Sequence, residues 1–105
     1  MSKQYRQGDV FMQEVSEKID SSKLVPIQAK GNRHILAEGE VTGHNHSVDC
    51  QTTGLFDYLG KTVMVVDETT FIEHQEHAPI EVSPGTYWVV RQREYTPQAI
   101  QRVQD

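Results

Sequence analysis

"KTVMVVDETTFIEH", residues 61–74, decides how the chain is read. "KTVMVVD" (61–67) is a short apolar run rich in β-branched residues, the mark of a buried strand rather than a helix. "ETTFIEH" (68–74) alternates and is expected to be its hairpin partner. Working outward, "APIEV" (78–82) is a short strand, "SPG" (83–85) a turn, and "TYWVVRQREY" (86–95) the last long strand. On that strand Tyr87, Val89 and the arginines share one face, and Trp88, Val90 and Gln92 share the other.

Upstream, "GDVFMQEV" (8–15) places Val10, Met12 and Glu14 on one face, and Phe11, Gln13 and Val15 on the other. "SEKIDSSK" (16–23) is a polar connection. "LVPIQAK" (24–30) contains Pro26, which allows an edge strand at best. "GN" at 31–32 signals a turn, and "RHILAEGEV" (33–41) is a strand bent at Gly39. "DCQTTG" (49–54) is turn-like, and "LFDYLG" (55–60) is short enough to be strand or helix. At the other end Thr96 suits a helix N-cap and Pro97 its first position. "PQAIQRVQD" is then a short helix with Ile100 and Val103 on one face. The expectation is an all-β domain over residues 1–105, a small antiparallel barrel or sandwich with a short C-terminal helix.

The chain's 105 residues suffice for one small domain. Its net charge of −5 argues against bulk neutralisation of phosphates, so neither nucleic acid nor an anionic membrane is the expected partner. The single cysteine, Cys50, permits no intrachain disulfide and fits a reducing cytoplasm. "MSKQYRQGDV" lacks the apolar segment of a signal peptide, and no run is long enough to span a membrane. A cytoplasmic protein is expected.

Four of the five histidines fall into two close pairs. In "GEVTGHNHSV" (39–48), His44 and His46 are i and i+2. On a strand they point the same way, about 6.6–6.8 Å apart along the backbone. Two imidazoles about 2 Å from a shared ion fit that spacing. Gly43 lets the backbone approach closely or bulge. The second pair, His74 and His77 in "FIEHQEHAP", is i and i+3, so both face one point only across a bend, which Pro79 and the polar "QEH" favour. Glu73 and Glu76 stand beside them as further ligands or supporting groups. A site of His44, His46, His74 and His77 offers nitrogen and oxygen donors, suited to zinc, iron, manganese or nickel. The competing reading is a solvated strand face. His34 stands apart as a residue at a strand start, and Cys50 has no activating neighbour in the sequence. No nucleophile elbow, P-loop, dinucleotide fingerprint or C-x-x-C occurs.

In "RQREY", Arg91 and Arg93 share a strand face and could clamp a phosphate or carboxylate. The alternative is that they cover an aromatic ring or pair with acids. "RQGDV" and "VVRQREY" are candidates for neighbouring strands.

"RQGDV", "ILAEGEVTGHNH" and "EHAPIEVSPGTYWVVRQREYTP" resemble a family of small uncharacterised bacterial and phage proteins, over most of the chain. The resemblance implies that the histidine and "QREY" blocks belong together and brings no activity. A looser similarity is to cupins, small β-barrels whose metal is held by an HxH pair, a glutamate and a later histidine. His44 and His46 match the pair. The departures are that Gly39 stands one residue too close to it and that Asp49, Cys50 and Gln51 occupy the glutamate's region. "SPGTYW" also lacks the second motif's histidine. This is an analogy of site, not membership.

Three functions remain in competition. The first is a metal-binding protein with a histidine-rich site. As an enzyme it would activate water or a bound oxygen ligand, with Glu76 shuttling protons. The second is a non-catalytic bacterial or phage accessory module acting on a protein partner. The third is a metal-free anion or nucleotide binder using Arg91 and Arg93. A small molecule or a protein is the expected partner, and self-association into a homo-oligomer is compatible with each.

Overall fold

The computed structural model describes residues 3–38 and 44–91. The expected bend at Gly39, the expected close approach at Gly43, Arg93 and the expected C-terminal helix fall outside the described residues.

Ten strands make up the described chain: β1 (Gln4–Gln7), β2 (Val10–Glu14), β3 (Leu24–Pro26), β4 (Arg33–Glu38), β5 (Asn45–Asp49), β6 (Thr53–Tyr58), β7 (Lys61–Val66), β8 (Thr70–Ile72), β9 (Ile80–Val82) and β10 (Gly85–Arg91). A single 3-10 turn, Ser21–Lys23, is the only helical element among the described residues. The fold is all-β, and every ladder is antiparallel. Six strands form one sheet in the order β1-β2-β10-β7-β6-β3, while β4 pairs with β5 and β8 with β9. Among the described residues the sheets do not close on themselves, so they form no closed barrel.

Alternation places the core. Val10 and Met12 of β2, Leu55 of β6, Met64 and Val66 of β7, and Tyr87 and Val89 of β10 are buried on one face of the large sheet. They join Leu36 and Ala37 of β4, Val48 of β5, Ile72 of β8 and Val82 of β9 in one cluster. Each fully buried side chain of this kind contributes about 1.5–3 kcal/mol. Pro26 lies on β3, the outermost strand beside β6, where its missing N–H costs no ladder bond.

One open reading is resolved and one expectation needs correction. "LFDYLG" is strand rather than helix: its first four residues are most of β6, and Leu59 and Gly60 make a two-residue turn to β7, with Tyr58 opposite Lys61. Leu59 and Gly60 both have positive φ, 53° and 88°, the I′ geometry whose twist matches a hairpin. "ETTFIEH" is not the partner of "KTVMVVD". Both edges of β7 are taken, by β6 and β10, and β8 turns away to pair with β9. "RQGDV" and the start of "RQREY" do meet, with Arg91 opposite Val10.

Candidate metal centre

Three separate parts of the chain build the site. The first is the β1–β2 hairpin, which turns on Gly8 and Asp9 between the paired residues Gln7 and Val10. Gly8 has φ 58° and comes first in the turn, the arrangement of a II′ hairpin. The second is β5, which carries His46 on the same face as the fully buried Val48, with His44 just before the strand. The third is the bend after β8 that holds His74 and His77. A pair of backbone hydrogen bonds joins the second part to the third: Ser47 N–H donates to Glu73 O (3.0 Å) and Glu73 N–H to Ser47 O (2.9 Å). His46 and His74 directly flank this bridge. Arg33 reinforces it, donating from Nε to Ser47 Oγ (3.1 Å) and pairing with Glu73 at 3.2 Å.

The four histidines lie together. Ring centroids of His46 and His74 are 4.3 Å apart, those of His74 and His77 4.6 Å, those of His44 and His74 5.7 Å, and those of His46 and His77 5.8 Å. His46 is the buried member, 5% exposed. Burial first, and then the neighbouring His74, lower its affinity for a proton, against a smaller opposing effect of Asp9. His74 is lowered in the same sense, by burial and then by His77 and His44.

The tautomer of His46 follows from its neighbour. Gln7 is 3% exposed, and its amide nitrogen donates to Ile72 O (3.0 Å) and Ala78 O (2.9 Å). The opposite amide orientation would set an oxygen against two carbonyls. Gln7 Oε1 therefore faces His46 Nδ1, 2.8 Å away, and Nδ1 carries the hydrogen. The bare Nε2 then lies 3.3 Å from Asp9 Oδ1. That is long for a charge-assisted hydrogen bond, typically about 2.7–2.9 Å. It matches two donors on one tetrahedral ion, which at about 2.0–2.2 Å from the metal stand about 3.3–3.5 Å apart.

Gly8 leaves the space beside this pair open. A Cβ there would lie 2.9 Å from His77 Nε2, 3.2 Å from His46 Cε1 and 3.5 Å from His46 Nε2. One point is thus close to the Nε2 atoms of two histidines from different segments. The remaining groups are less prepared. Glu76 N–H donates to His74 Nδ1 (2.9 Å), which in the neutral ring puts the hydrogen on Nε2. His44 Nδ1 lies 3.6 Å from the exposed carboxylate of Glu76. Among the described residues no three His, Cys, Asp or Glu side chains are gathered tightly enough to hold an ion as they stand. Binding by more than the His46 and Asp9 pair requires side-chain rotation, above all release of the Glu76 N–H by His74.

Three other candidates fall among the described residues. His34, on β4, is buried, its Nδ1 has no hydrogen-bond partner among the described residues, and burial lowers its proton affinity. Cys50 is a free, half-buried turn residue. Arg91 ends β10 and borders an open groove with Phe11, Trp88 and Lys61 on the large sheet. Sequence reasoning missed Gln7 and Asp9. The only signal was their place in a turn rich in polar residues and opened by glycine.

The fold and site define a small antiparallel all-β protein with a histidine cluster at the junction of its sheets. The chain belongs to the family described as Domain of unknown function (DUF8820), with the match spanning residues 6–92. No curated protein and no solved structure matches it. No helix among the described residues is long and apolar enough to cross a membrane.

Proposed function

We propose that this chain is a divalent-metal-binding protein whose site is built on His46 and Asp9 and completed by His77, His74 and His44. The observation that carries the reading is the facing pair of acceptors, His46 Nε2 and Asp9 Oδ1 at 3.3 Å. With Nδ1 committed to Gln7, a cation must stand between these atoms for the contact to be favourable. A proton can serve, but burial and the neighbouring histidines oppose it. A metal ion needs the neutral ring and gains the Asp9 carboxylate as a counter-charge. Imidazole and carboxylate donors without thiolate suit zinc, iron, manganese or nickel. Glu76, beside His44 at the exposed side, is the carboxylate placed to take a proton from a ligand of the ion, should the site support a reaction.

The test is metal analysis of protein purified without a histidine tag, followed by melting of the metal-free chain with each of the four ions at neutral pH. A raised melting temperature is expected because the ion binds the folded state. His46→Ala should abolish the rise, and His34→Ala should keep it. Affinity should fall steeply between about pH 7 and about pH 5, as protons compete for the imidazoles. A melting temperature indifferent to all four ions overturns the reading.

A further inference from the structure

We infer that Gln7 is the positioning residue of this site: its side-chain amide fixes His46 as the Nδ1–H tautomer and pins both ends of the bend that carries His74 and His77. The inference rests on the metal reading for its purpose, but its geometry stands independently. Gln7 is the last residue of β1, with its side chain turned to the buried side of the sheet. Its amide makes three hydrogen bonds, all to parts of the chain at least 39 positions away. Two go to carbonyls, Ile72 O before the bend and Ala78 O after it. Donation to both carbonyls leaves Oε1 free for one task, accepting from His46 Nδ1.

The chemistry explains why an amide belongs here. A ligating histidine must offer one nitrogen bare, and a firm acceptor on the other nitrogen ensures that. Glutamate could accept from Nδ1 but could not donate to the two carbonyls. Lysine could donate but not accept. Glutamine does both from one planar group, and β1 holds it rigidly because Gln7 pairs with Val10 across the hairpin. The same hairpin presents Asp9 to the nitrogen that Gln7 keeps bare. Ligand and positioning residue therefore sit two positions apart on one turn.

The experiment uses the full chain. Nitrogen NMR of the imidazole rings, on metal-free protein at about pH 8 where histidine is neutral, reads the tautomer of His46 directly. The expected result is a single Nδ1–H form in the unaltered protein. Gln7→Met, close in size but unable to make any of the three bonds, should move His46 toward the Nε2–H form. It should also weaken zinc binding about 10–100-fold, the usual effect of losing a supporting partner. Gln7→Glu separates the two tasks: His46 should keep its tautomer while the resonances of His74 and His77 shift. An unaltered protein with His46 as Nε2–H overturns the inference without any variant. So does Gln7→Met with both tautomer and zinc affinity unchanged. If the unaltered protein binds no zinc, the metal reading fails, and the tautomer result still decides whether Gln7 sets the ring.

Discussion

Asp9 Oδ1 and His46 Nε2 face each other at 3.3 Å, joined across 37 residues of sequence by the docking of one hairpin onto a strand. Replacing the carboxylate by an amide separates structure from binding. In Asp9→Asn the side-chain nitrogen can donate to the bare Nε2, so the metal-free protein should melt no lower than the unaltered one. Zinc affinity should drop by at least about 10-fold, because the anionic ligand is gone. Calorimetric titration and thermal melting together check both halves.

Gly8 and Gly31 form a matched pair for testing the open space. Both have positive φ, 58° and 63°, so alanine carries a similar backbone cost of about 1–2 kcal/mol at each. Only at Gly8 does the new methyl meet anything, His77 and His46; at Gly31 nothing lies within 4 Å. Gly8→Ala should lower the melting temperature and remove its response to zinc. Gly31→Ala should lower the melting temperature and leave the response intact.

Leu59 occupies the first position of a I′ turn at φ 53° and is 67% exposed. The leucine contributes little packing there and bears the cost of a left-handed backbone. Leu59→Asn should stabilise the protein by about 0.5–1 kcal/mol, since asparagine tolerates that conformation. Urea unfolding at neutral pH measures it.

His34 should contribute to acid sensitivity. Its folded-state pKa is lowered by burial, so below about pH 6.5 the unfolded chain takes up a proton that the folded chain resists. Stability therefore falls as pH drops through that point and on toward the lowered folded value. His46 and His74 act in the same direction. In the presence of a chelator, His34→Leu should show a shallower loss of stability between about pH 7 and about pH 5.

The strands that were legible are those whose alternation is set by burial. Val10 and Met12, or Tyr87 and Val89, stand out because one side of the large sheet must face the core. The hairpin of β6 and β7 was obscured because its turn is Leu59-Gly60 rather than a pair that announces left-handed geometry. The partner of β7 is not legible, because adjacency in sequence favours "ETTFIEH" and no local feature of 61–67 reveals that β10 takes that edge. The histidine pairs were visible from spacing alone. Gln7 and Asp9 were not, since their roles come from Ile72, Ala78 and His46, tens of residues away. A polar residue in a short hairpin carries no local sign of such a partner.

The two hydrogen bonds between Ser47 and Glu73 bear on how the molecule is assembled. They close a loop of 26 residues, and the contacts of Gln7 with Ile72 at the end of β8 and with Ala78 beyond it close loops of 65 and 71. Contacts of such range form late, because the chain entropy of closure is lost before they return anything. Individual hairpins can form without bringing the histidines near one another. An ion that needs His46, Asp9 and His77 together would find no complete set of donors until the last of these segments has docked. Occupancy of the site would thus report completed folding of the described chain, and loss of the ion would be among the earliest signs of its coming apart.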